Sequence, residues 1–170
     1  MRLFSGKIPT IAQEIVTTLS AAQDIETQAP NEVAQDIESV LKEYLRAERR
    51  VIDEAKARME SRGLGFGELG RVKSQVARDM KIPIGEDTLP YLVDQILEML
   101  FHSSHVEEVF AEDPSLRKKA TAVLRRHMDV EAELDREVRS KIKNLEEGTA
   151  AFETEYQKTL DGLKRTKRLT

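Results

Sequence analysis

The stretch NEVAQDIESVLKEYLRAERRVIDEAKARMESRG, residues 31–63, decides the fold class. Its apolar residues Val33, Ile37, Val40, Leu41, Tyr44, Val51, Ile52, Ala55 and Met59 recur at helical spacing, which gathers them on one face at 3.6 residues per turn. Asn31 follows Ala29-Pro30 and suits an N-cap, and Gly63 suits a stop. Thirty residues of helix span ~45 Å. Such a helix cannot bury its own apolar stripe and must pack on another element, a second copy or a partner. Ile37, Val40, Tyr44, Ala47 and Val51 step by three and four, as in a coiled-coil seam.

Upstream, Pro9 suits a first helical turn, and Ile8, Ile11, Ile15, Val16 and Leu19 form the stripe of a shorter helix ending near Ala22. Leu3 and Phe4 are two large apolar residues before it, placed to pack under that helix as a staple. Downstream, Gly63, Gly65, Gly67 and Gly70 interrupt the periodicity, and Leu69, Val72, Val76 and Met80 mark another short helix closed by Pro83 and Gly85.

The second half reads as a repeat of the first. At an offset of 81, Pro9, Ile15, Leu19 and Glu26 meet Pro90, Ile96, Leu100 and Glu107, and Ile25 meets Val106. After a two-residue insertion the offset becomes 83, and Val40, Leu41, Glu48 and Glu54 meet Val123, Leu124, Glu131 and Glu137. Pro30 and Pro114 then open two long helices. Amphipathic helices align their apolar positions in any case, so the order of short helix, acidic loop, long helix and glycine carries the comparison. Beyond Gly148, Phe152, Tyr156, Leu160 and Leu163 define a last helix, expected to fray through the basic residues 164–168.

The expected architecture is all-α and elongated, built from two similar short-helix/long-helix halves. Residues 1–62 form the first half, 63–84 a Gly-rich connection and short helix, 85–148 the second half, and 149–170 a C-terminal helix with a basic tail. Lys and Arg number 27 against 31 Asp and Glu among 170 residues, Gly and Pro are few, and Cys and Trp are absent. That composition favours solvated helices over short strands. Without Cys there is no disulfide, thiolate zinc site, iron–sulfur ligand or Cys nucleophile, which fits a reducing cytoplasm. Arg2 and Lys7 followed by the apolar residues 8–22 have the outline of a signal peptide, but Gln13, Glu14, Thr17 and Thr18 interrupt it. No segment has the apolar length to span a bilayer, and a cytoplasmic protein without membrane attachment is expected.

Charge is segregated: residues 82–116 hold eight acids and no Lys or Arg, after which Arg117, Lys118, Lys119, Arg125 and Arg126 follow with no acid between Asp113 and Asp129. An intramolecular complement between neighbouring helices explains this, and electrostatic docking of a partner is the sharper alternative. The interaction residues to examine are therefore Arg117, Lys118, Lys119, Arg125 and Arg126, with Tyr44 and Val51 from the long stripe and Phe110. A nucleic-acid-associated role would add Arg71, Lys73, Arg78, Lys81 and the C-terminal basic residues. The net charge of −4 and the lack of an aromatic stacking platform weigh against it.

His102 and His105 are the only imidazoles close in sequence, with Glu98 one turn before. They are weak candidates for a zinc site. Exposed His at a helix C-terminus is the plainer reading, since its charge complements the dipole, and no metal or cofactor is expected. The glycine run G-x-G-x-G-x-x-G lacks a preceding strand and the Lys-Ser/Thr of a phosphate loop, and reads as a hinge. With no nucleophile triad, no enzymatic activity is expected.

The segments MRLFSGKIP at residues 1–9, LKEYLRAERRVIDEAK at 41–56, GEDTLPYLVDQILEMLFHSSHVEEVFAED at 85–113 and LRRHMDVEAELDREVRSKIKNLEEGT at 124–149 resemble a bacterial family described as a domain of unknown function, number 507. The resemblance covers nearly the whole chain. It implies a bacterial, cytosolic, all-helical protein, and supplies no activity, cofactor or partner to carry onto these residues. The expected function is that of a scaffold or interaction module whose long helices meet a protein partner or a second copy, and a nucleic-acid-associated factor is the alternative.

Overall fold

The computed structural model describes residues 1–170. The chain forms seven α-helices and one two-stranded ribbon: α1 Ile8–Ala21, β1 Ile25–Glu26, α2 Pro30–Arg62, α3 Leu69–Met80, α4 Thr88–His102, β2 Glu108–Val109, α5 Asp113–Met128, α6 Glu131–Lys141 and α7 Ala150–Thr166. It is all-α, in two similar halves.

The main core closes as a ring. Helix α1 packs against α2 and α5, and α4 packs against the same two. Ile8, Ile11, Ile15 and Leu19 of α1 meet Val33, Ile37 and Leu41 of α2, Leu92, Ile96 and Leu100 of α4, and Leu116, Leu124 and Met128 of α5 in one cluster. The two halves thus bury their stripes against each other. The apolar spacing of each helix explains its orientation, because every one of these positions lies on the face turned to the ring.

Pro9 and Pro30 both sit in a first helical turn, where a missing N–H costs nothing. Gly63 ends α2 in the left-handed region at φ 63°, and α3 then folds back along the outer end of α2. There Val51, Ala55 and Met59 bury against Val72, Val76 and Ala77. The seam through Tyr44 and Val51 is therefore filled by this chain's own helices.

The halves correspond from α1 to the start of α2 and from α4 to the start of α5, with one shift in register. Helix α1 and residues 89–102 of α4 keep the offset of 81, whereas β1 and β2 are separated by 83, as are the starts of α2 and α5. The two additional residues therefore lie in the loop 103–107. Ile25 and Glu26 correspond in the ribbon to Glu108 and Val109, which replaces the matches to Val106 and Glu107 drawn from sequence. The strands pair antiparallel, Ile25 with Val109 and Glu26 with Glu108, so exchanging the halves turns one ladder pair into the other.

The second long element departs from expectation. It is two helices, α5 and α6, separated at Asp129 and Val130. Met128 belongs to the main core, but Leu134, Val138 and Ile142 turn to a separate cluster with Phe152 and Leu163 of α7. One straight helix cannot point its stripe at both. The Arg2 N–H donates to the Met128 carbonyl at 3.1 Å and caps the break.

The C-terminus is docked where fraying was expected. Arg168 adopts φ 55°, the Leu169 N–H donates back to the Lys164 carbonyl at 2.8 Å, and the Leu169 carbonyl accepts from the Gly6 N–H at 2.9 Å. This is a helix-ending left-handed cap, completed by burial of Leu169 beside Phe4.

Candidate functional site

The basic face of α5 is partly neutralised within the chain. The Arg117 guanidinium bridges Asp94 of α4 and Asp113 of its own first turn. Lys119 pairs with Asp24, whose backbone carbonyl accepts from Phe110 and Ala111 N–H groups at 2.8 and 3.2 Å. Arg126 and His127 both reach Glu14 on α1. These pairs tie α5 to Glu14 of α1, Asp94 of α4 and Asp24 just before β1. Lys118 and Arg125 are exposed, lie seven residues apart and so share a face, and have no acid partner.

Tyr44 and Val51 are buried, so neither presents a surface. The Tyr44 hydroxyl donates to the Pro83 carbonyl at 3.1 Å and shares a hydrogen bond with the buried Thr88 hydroxyl at 2.9 Å. Burial pushes its phenol up to about 12, opposed by Thr88 and helped by Glu48. The residue is a polar tie between α2 and the start of α4.

His102 is exposed at the last turn of α4, while His105 lies in the loop that carries the two-residue insertion. His105 Nδ1 and Ser103 Oγ both meet Asp36 Oδ2 on α2, at 2.9 and 2.8 Å, and Thr27 Oγ1 donates to the His105 carbonyl at 2.6 Å. The imidazole therefore fastens the loop to α2, and the His105 carbonyl ties it to Thr27 just after β1. No group of three or more His, Cys, Asp or Glu side chains converges in a way that would hold a metal ion.

Three aromatic rings remain in solvent. Phe66 is 87% exposed at the turn between α2 and α3, Phe110 62% exposed just after β2, and Phe101 52% exposed at the end of α4. Exposed Glu26, Glu107 and Glu108 lie on or beside the ribbon that precedes Phe110, with Glu26 directly opposite Glu108. Like charges facing each other across a ladder are unfavourable, so this end of the fold is acidic without internal relief. Sequence spacing singled out Phe110 but not Phe101 or Phe66. For Phe66 a signal exists: it stands between Gly65 and Gly67, in the stretch where the glycines interrupt the helical periodicity. The glycine run forms a helix stop at Gly63 and the turn that carries Phe66.

A second polar cluster lies at the far end. Arg139 of α6 pairs with Asp135 at 3.0 Å and Glu147 at 3.1 Å, and its guanidinium stands 5.7 Å from the Phe152 ring centroid. The Tyr156 hydroxyl donates to Asp135 at 2.5 Å, and burial followed by that carboxylate pushes the phenol up to about 12. The same contact holds Asp135 below the usual carboxylate range. Sequence spacing placed Phe152 and Tyr156 on one helix but did not single out Arg139, Asp135 or Glu147.

No helix of the fold is long and apolar enough to cross a membrane. The family described as "Protein of unknown function (DUF507)" matches residues 1–169, and the chain belongs to it. No curated protein matches the chain.

Proposed function

We propose that this member of a family of unknown function is a non-enzymatic interaction module that meets a protein partner through the acidic, aromatic end of its fold. The observation that carries this reading is the exposure of Phe101 and Phe110, on either side of the insertion loop, each more than half in solvent. Large apolar side chains ringed by charge are the usual composition of an interface anchor. The unrelieved acids beside them favour a partner of positive potential. Support also comes from the interior, where no buried side-chain nitrogen or oxygen lacks a hydrogen-bond partner. The frame is internally satisfied, and its unfinished contacts lie on the surface.

This reading moves the expected docking surface away from the long-helix stripe, which is covered within the chain, and keeps Phe110. The test is a photo-crosslinking amino acid placed at position 110 or 101, compared with the exposed position 122 on α5, in cells that express the chain. A discrete adduct from 110 and 101, absent from 122 and lost on Phe101→Asp, is expected for the adduct formed at 110. Equal labelling from all three positions, or no adduct from any, overturns it. Light scattering of the purified chain shows whether that partner is a second copy.

A nucleic-acid-associated role rests on Lys118 and Arg125 alone among the α5 cations, because Arg117, Lys119 and Arg126 are paired within the chain. It predicts duplex binding that falls steeply with salt. Loss of that binding on Lys118→Glu with Arg125→Glu would favour it over a protein partner.

A further inference from the structure

The N-terminal segment, α6 and α7 enclose a cleft of about 370 Å³, lined by Arg2, Phe4, Leu134, Tyr156, Leu160 and Lys164 among others. Arg2 Cζ lies 5.6 Å and Lys164 Nζ 5.8 Å from the centroid of the same Phe4 ring. Neither cation has an acid within ion-pair distance, although carboxylates line the same cleft. Asp135 is engaged by Arg139 and Tyr156, and Glu131 by the Met1 amine at 3.3 Å. Asp129 is exposed and pairs with neither cation. Burial first, and then Arg2, lowers the Lys164 ammonium below its usual range. Two like charges are thus held against one aromatic ring without a bonded acid partner, Asp161 and Glu131 offsetting Lys164 only from beyond ion-pair distance.

We propose that this cleft binds a phosphomonoester carrying a short apolar stem, its head between Arg2 and Lys164 and its stem against the half-buried Tyr156 and Leu160. A phosphate carries close to two negative charges at neutral pH, which matches two cations without bonded acid partners better than one carboxylate does. Arg offers a planar fork to phosphate oxygens and Lys a point charge, a pairing suited to one head group. The volume lies near the lower end for ligand pockets, which limits the stem to a handful of carbons and leaves no room for two acyl chains.

Hexyl phosphate titrated into the full chain, followed by amide chemical shifts, tests the assignment. Saturable shifts centred on Arg2, Phe4 and Lys164 are expected, with inorganic phosphate and hexanol each binding at least about tenfold more weakly. Lys164→Gln and Arg2→Gln should each weaken hexyl phosphate about tenfold, the scale of one lost charge-assisted hydrogen bond. The exposed Lys158→Gln should leave it unchanged. Absence of saturation, or parental affinity in both variants, overturns the proposal. Flotation with phosphatidic acid vesicles that Lys164→Gln abolishes, without saturation by hexyl phosphate, would overturn it in favour of a membrane surface.

Discussion

Leu3 and Phe4 are neighbours in the chain and are buried in different hydrophobic clusters, Leu3 with the ring of α1, α2, α4 and α5, and Phe4 with α6 and α7. Successive side chains of an extended segment point to opposite sides, so this one dipeptide can pin two helical bodies together. Phe4→Ala should therefore cost ~3–5 kcal/mol, as for other large core truncations. Its loss should be local: hydrogen exchange should accelerate in α6 and α7 well before α1 and α4. Uniform acceleration across all helices would show that Phe4 supports the whole core and not a joint.

Gly6 carries the other half of that joint. A Cβ at this position would stand 2.2 Å from the Arg168 carbonyl oxygen, closer than any non-bonded contact permits. Gly6→Ala must displace the backbone that holds Leu169, and should cost ~1–3 kcal/mol. Gly65→Ala meets open space and should leave thermal stability unchanged. Equal melting temperatures for the two variants would contradict the close approach of the termini.

Tyr44 links high-pH stability to the α2–α4 contact. Its folded value of about 12 lies above the ordinary value of a phenol, so the neutral phenol is favoured by folding. That contribution is fully present below pH 10, declines above it and is lost as pH passes the folded value. The gap corresponds to roughly 3 kcal/mol. Tyr44→Phe should flatten the fall in stability between pH 10 and 12, measured by urea denaturation at each pH. At neutral pH the same change should cost ~1–2 kcal/mol, because Thr88 is left buried with one fewer partner. An unchanged alkaline limb in Tyr44→Phe would assign the effect elsewhere.

Helices α1, α2 and α4 were legible because one apolar stripe, read at helical spacing, determines both their existence and the face they bury. The break between α5 and α6 was not, since residues 128–131 contain neither Gly nor Pro. Its cause is the Arg2 N–H and the diversion of Leu134 toward Phe152, both tertiary. The C-terminus misled for a related reason. Basic residues 164–168 look solvated, and only the passage of Gly6 beneath Leu169 gives them a place. Charge segregation was visible in composition, but whether α5 faces a partner or its own chain depends on which helices adjoin it. The register shift at 103–107 escaped because at an offset of 81 Ile25 and Glu26 meet Val106 and Glu107, residues of their own kinds, whereas at the 83 set by the ribbon they meet Glu108 and Val109.

The pairing of α5 also separates two adjacent lysines that sequence treats alike. Lys119 Nζ faces Asp24, whose side chain is only 10% exposed, whereas Lys118 points into solvent. Removing the Lys119 charge leaves a nearly buried carboxylate without its cation, and breaking such a pair from one side is far more damaging than losing a surface charge. Lys119→Ala should cost ~2–4 kcal/mol, and Lys118→Ala within about 0.5 kcal/mol of nothing. Asp24 also holds the Phe110 and Ala111 amides through its backbone carbonyl, so the Lys119 variant should raise exchange at those two amides. Adding Asp24→Asn should restore part of the lost stability, because the orphaned charge goes with it while the backbone acceptor stays. Denaturation of the parent, Lys119→Ala, Asp24→Asn and the double variant measures this directly, and strict additivity of the two substitutions would show that the pair carries no coupling.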